Sequence, residues 1–72
     1  MSTLQNARIV GPVAYTTAHG QARKIPLGPC LIEQLDDQSI DIIWGARGQS
    51  SAALPAGAVA QACEHGHLVL LD

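Results

Sequence analysis
Two apolar runs flank a short polar break. Cys30 to Leu35 leads into Asp36-Asp37-Gln38-Ser39, and Ile40 to Trp44 follows. β-branched and large apolar residues favour a pleated surface, and Asp and Ser favour reversals, so the stretch predicts a β-hairpin. A loop of two residues, Asp37-Gln38, or of the whole polar run gives one pairing: Leu35 opposite Ile40, Glu33 opposite Ile42, Leu31 opposite Trp44. Side chains alternate along a strand, so Leu31, Leu35, Ile40, Ile42 and Trp44 are expected on the core face. Cys30, Ile32, Gln34, Asp41 and Ile43 then share the other face. There Ile32 and Ile43 face each other as a candidate interaction surface.

The remainder of the chain has to complete a core around this hairpin. Seventy-two residues make one domain with little material for it, since the chain has no Phe, one Trp and one Tyr. A chain of this size buries only about 60% of its unfolded surface. Alanine adds little at about 25 cal/mol per Å², so association with a second copy would help.

Residues 1–6 are polar and read as a disordered tail, with one domain over 7–72. Ala7 to Thr17 has strand character through Ile9, Val10, Val13 and Tyr15, and Gly11-Pro12 interrupts it, because proline cannot donate to a ladder. Ala18 to Pro29 is expected as a long loop, with a short extended piece at Lys24 to Leu27. Past the hairpin, Gly45-Ala46-Arg47-Gly48 permits a tight reversal into a strand from Gln49 to Leu54. Pro55 suits the start of a helix over Ala56 to His65 that carries Val59, Ala62 and Cys63 on one face, and Gly66 suits its end. His67 to Leu71 closes the chain as a strand.

The order is therefore a strand, a long loop, three strands in a meander, a short helix and a last strand. This resembles the SH3-like small barrel over residues 7 to 71. The resemblance implies a mainly β fold of about five antiparallel strands with one short helix before the last; an open α+β sheet is the alternative. The chain lacks the acidic-aromatic loop and clustered surface aromatics with which signalling SH3 domains hold proline-rich peptides.

Candidate chemistry is confined to Cys63, His65 and His67 in the run Cys-Glu-His-Gly-His. Thiolate and imidazole are donors for zinc, copper and nickel, and His19 or Cys30 would complete a four-ligand shell. Were residues 63–67 extended, all three donors would share one face. On a helix, Cys63 belongs to the apolar face as a buried thiol, His65 acts as a cap and His67 starts a strand. No nucleophile elbow, phosphate-cradling loop or dinucleotide fingerprint is present, so the chain reads as a non-enzyme.

Six acidic and four basic residues give a net charge of −2. Arg8, Arg23, Lys24 and Arg47 would have to converge to hold a nucleic acid, so that partner is not expected. Gly45 to Gly48 matches the GXXG pattern of KH domains, but it follows a strand, whereas theirs joins two helices. With no leader or membrane-length apolar run, a soluble, cytoplasmic protein of bacterial type is expected. A reducing compartment would keep both cysteines as thiols. The leading expectation is an interaction module or accessory subunit whose partner is an unidentified protein or, as a homo-oligomer, a second copy of the chain; the others are a transition-metal accessory protein and a small nucleic-acid-binding barrel.

Overall fold
A computed structural model describes residues 4–17 and 19–71. The fold is mainly β. An antiparallel five-stranded sheet runs in the order β6-β5-β4-β1-β7, formed by β1 (Leu4–Ile9), β4 (Gly28–Gln34), β5 (Ser39–Trp44), β6 (Ser50–Pro55) and β7 (Leu68–Leu70). A hairpin of β2 (Ala14–Thr16) and β3 (Ala22–Lys24) forms a separate two-stranded sheet, and the helix α1 (Ala56–Glu64) precedes β7. Among the described residues, β6 and β7 are the free edges, and no hydrogen-bonded pairing joins them into the closed barrel expected from the sequence. No described helix is long and apolar enough to cross a membrane.

The central hairpin forms, but one residue out of the expected register. Cys30 stands opposite Trp44, Leu31 opposite Ile43, Ile32 opposite Ile42 and Gln34 opposite Ile40. The physical cause is the turn. The Leu35 N–H donates to the Ser39 carbonyl at 3.1 Å, so the ladder continues to that pair and leaves only three residues, Asp36 to Gln38, in the loop. An odd loop changes the pairing parity, and a one-residue slip exchanges the two faces of a strand. Ile40, Ile42 and Trp44 keep the inner side expected for β5. On β4 the inner side belongs to Cys30 and Ile32 instead of Leu31 and Leu35. Ile32 is thus buried core opposite Ile42, Ile43 lies half-buried on the outer face opposite Leu31, and the proposed Ile32–Ile43 surface pair does not exist.

Asp36 sets this turn. Its Oδ1 accepts the N–H groups of Gln38 at 2.7 Å and Ser39 at 2.8 Å, an Asx-type cap. Asp36→Ala is expected to cost about 1 kcal/mol. It should also speed amide exchange at Gln38 and Ser39, measurable by thermal melting and hydrogen exchange; unchanged exchange would assign the turn to another cause.

β1 begins at Leu4, so Leu4, Gln5 and Asn6, expected in a tail, pair with Glu33, Ile32 and Leu31; residues 1–3 lie outside the described residues. Ala7 and Ile9 point inward and Asn6 and Arg8 outward. β2 falls within the stretch expected to be extended, but the segment expected as a long loop supplies β3, and the two form a hairpin that the Ile25 N–H extends by donating to the Val13 carbonyl at 2.9 Å. The Tyr15 ring meets Trp44 at 5.5 Å in a tilted contact, tying this hairpin to β5.

α1 buries Val59 and Ala62, and Cys63 packs against the same core. Its first N–H, on Ala56, donates to the Gln38 carbonyl at 2.8 Å, tying the helix start to the central turn. Its end is a Schellman motif: the His67 N–H reaches the Ala62 carbonyl at 2.9 Å and the Gly66 N–H reaches Cys63 at 3.1 Å. Gly66 has a φ of 76°, which a residue with a Cβ adopts only under strain. The core is a single cluster between the sheet's inner face, α1 and the hairpin, with Ile9, Ile42 and Leu68 its most deeply buried large side chains.

Candidate interaction surface
The five candidate metal donors are distributed over separate places. Because residues through Glu64 are helical and Gly66 turns the chain, 63–67 is not extended and its donors do not share a face. His65 and His67 come together, with ring centroids 5.8 Å apart, beside Pro12, Val13 and Gln61 in a shallow hollow of about 160 Å³. Cys63 lines a different hollow with Ile32, Ile40, Val59 and Leu70. Cys30 is buried within the sheet, and His19 is exposed at the turn between β2 and β3. Among the described residues, no three His, Cys, Asp or Glu side chains gather as a metal site.

Both cysteines are free thiols. Burial pushes the Cys30 pKa up, so at neutral pH it carries no thiolate, the form that reacts and that binds metals. An alkylating reagent applied to the native protein is therefore expected to label Cys63 first and Cys30 only with global unfolding. Mass spectrometry of the labelled peptides checks this, and equal labelling rates would contradict the burial of Cys30.

The sheet's outer face has a different character. The register sets Leu71, Asn6, Leu31, Ile43 and Ser51 side by side across the strands. Leu31 and Ile43 are half-buried, Val69 and Leu71 are 42% and 40% exposed, and Leu4 is 56% exposed. The Gly45–Gly48 turn, closed by the Gly48 N–H on the Gly45 carbonyl at 3.1 Å, stands against this face. A Cβ on Gly48 would lie 3.4 Å from Ile43 Cγ2. With Asn6, Leu31, Ile43 and Arg47 the turn walls an open groove of about 420 Å³. The Gln49 side chain accepts the Arg47 N–H at 2.9 Å, so the turn is held from within.

Charge is also patterned on this face. Glu33 stands directly opposite Asp41, flanked in the same row by Leu4 and Ala53, so no cation occupies that row. Burial and the neighbouring Glu33 raise the Asp41 pKa. A carboxyl with a raised folded-state pKa destabilises the fold at pH values above its folded pKa, and the penalty disappears below its unfolded value. In dilute solution Asp41→Asn is therefore expected to stabilise at neutral pH by roughly 0.5 kcal/mol, the scale of a like-charge cross-strand pair. The gain should vanish on acidification through the carboxylate range; urea titrations at pH 7 and pH 3 measure it, and a pH-independent gain would remove the charge explanation.

Arg8 and Arg47 border the outer face, whereas Arg23 and Lys24 lie on β3 in the separate hairpin. Sequence reasoning reached Ile43 but missed Leu31, Val69 and Leu71 as its companions. Alternation in Leu68-Val69-Leu70-Leu71 was the available signal. No protein-family model matches this chain, and searches of curated proteins and of solved structures give no significant match.

Proposed function
We propose that the chain is a non-catalytic interaction module or accessory subunit of SH3-like topology, with the outer face of its five-stranded sheet as the contact surface. The SH3-like reading is supported by the strand order, the long excursion between β1 and β4 and the helix before the last strand. Topology alone carries little about function. The observation that carries the interaction reading is the outer face itself: Leu31, Ile43, Val69 and Leu71 share one surface of the sheet, while α1 and the β2–β3 hairpin pack with the buried cluster on the other. The face carries two aliphatic pairs, Leu31–Ile43 and Val69–Leu71, with Asn6 and Arg8 of β1 between them, and such a mixed apolar and polar surface is suited to another chain.

Chemical cross-linking in extracts of cells producing the protein tests the reading. Adducts of the native chain that disappear in both Leu31→Glu and Ile43→Glu but persist in Ala60→Glu, an exposed change on α1, support it. Adducts indifferent to the outer-face changes, or none, overturn it.

A further inference from the structure
The outer face changes character along the strand direction. One end carries the acidic row of Glu33 and Asp41. The middle row is Leu71, Asn6, Leu31, Ile43 and Ser51. At the other end Arg8 lies between Val69 and Pro29, and Arg47 sits in the turn that follows β5 and lines the same groove as Leu31 and Ile43. The face is thus acidic at one end, basic at the other, and uncharged and mainly apolar between.

Resting on the interaction reading above, we infer that the occupant of this face is a second copy of the same chain, packed face to face about a two-fold axis along the apolar middle row. Rotation about that axis exchanges the two ends and keeps each strand's place across the sheet. Asp41 precedes Ile43 by two residues, and the turn holding Arg47 begins two residues after it. The rotation therefore lays the partner's Asp41 over the Arg47 turn. Arg8 comes over the partner's Leu4, one strand spacing of about 4.8 Å from the partner's Glu33 and within reach of an arginine side chain. The middle rows meet each other. A two-fold axis along the strands instead would set acid on acid and base on base. The contact is isologous, so it closes as a dimer.

Size sets the strength. Four strands some 20 Å long and the shorter β7, at about 4.8 Å spacing, present roughly 400–450 Å² in projection on each copy. Standard stable interfaces use about 800 Å² per partner, so this one belongs with weak, reversible complexes. The total accessible surface is 4977 Å², and covering such a face removes about a tenth of it. Ion pairs at its two ends make the association salt-sensitive and decide orientation more than affinity.

Sedimentation equilibrium of the purified, reduced full chain tests the inference. The native protein should pass from monomer to dimer with rising concentration, and added salt should weaken the dimer. The double variant Glu33→Lys/Asp41→Lys makes the face uniformly basic, and Arg8→Glu/Arg47→Glu makes it acidic. Each alone should raise the dimer dissociation constant by roughly tenfold or more, while an equimolar mixture should form a heterodimer. Restored association in the mixture shows that neither variant was lost through misfolding. A native chain that stays monomeric at millimolar concentration overturns the inference, as does a dimer untouched by both double variants. If the purified chain is monomeric while extract adducts with another protein still depend on Leu31 and Ile43, the interaction reading stands and only the second copy is excluded.

Discussion

Ile42→Ala is expected to lower the stability of this domain by about 3–5 kcal/mol, the upper part of the range for deleting a buried aliphatic side chain. Ile42 is fully buried, at 0% exposure, in the middle strand of the β4–β5–β6 meander. Its row on the inner face contains Ile32 on one side and Ala52 on the other. Ala52 is too small to fill the space an alanine at 42 would leave, and the sheet backbone cannot collapse into it without breaking its ladder. A chain of 72 residues has on the order of 4–11 kcal/mol in total. The variant should therefore lose roughly a quarter or more of its stability, and all of it if the native value lies at the low end of that range. Urea denaturation followed by Trp44 fluorescence measures the loss, and a change below about 1 kcal/mol would mean that the core does not close on Ile42.

Gly11→Ala should also destabilise, by less and for a different reason. A Cβ at position 11 would lie 2.5 Å from His67 Cδ2, 2.8 Å from Cγ and 3.1 Å from Cβ. Rotation of the imidazole relieves the first two contacts but not the third. The backbones cannot part either, because the His67 carbonyl accepts both the Val10 N–H at 2.8 Å and the Gly11 N–H at 3.2 Å. The expected cost is about 1–3 kcal/mol, the scale of overpacking at a tight site. His67→Gly removes the ring and the Cβ together. In the double variant most of the loss should return, as a coupling of about 1–2 kcal/mol in a double-mutant cycle. Strict additivity of the two changes would show that the glycine serves its own backbone and not the close approach of His67.

The Gly11–His67 contact also illustrates what local sequence could not convey. Gly11-Pro12 is readable as an interruption of a strand, since proline breaks a ladder wherever it falls. That His67 closes over that interruption follows from β7 pairing with β1, a partnership between chain ends that carries no local signal. The same pairing separates the donors of the Cys-Glu-His-Gly-His run. Gly66 was legible as a helix terminator, and that termination turns the two histidines away from Cys63.

Elements with a strong local cause were legible. The β5 inner face, the start of α1 after Pro55, its Val59 and Ala62 stripe, the Gly66 stop and the glycine-flanked turn at 45–48 each depend on side-chain alternation, helical spacing or a backbone angle that one or two residues dictate. The faces of β4 were not legible, because its two alternating sets are almost equally apolar: Leu31 and Leu35 against Cys30 and Ile32. Hydrophobic pattern gives no preference there, and the number of residues in the turn decides. Asp36 closes that turn over three residues through hydrogen bonds to Gln38 and Ser39. Tertiary packing agrees with this choice, since Cys30 and Ile32 meet Ala7 and Gln5 of β1 across the sheet. The composition of the outer face follows from the same single residue of register. Local chemistry thus specified which segments become strands, helix and turns. The strand pairing set by the three-residue turn, together with the pairing of β4 with β1, specified which side of β4 became core and which was left on the outer face, because its apolar pattern alone is a near-tie.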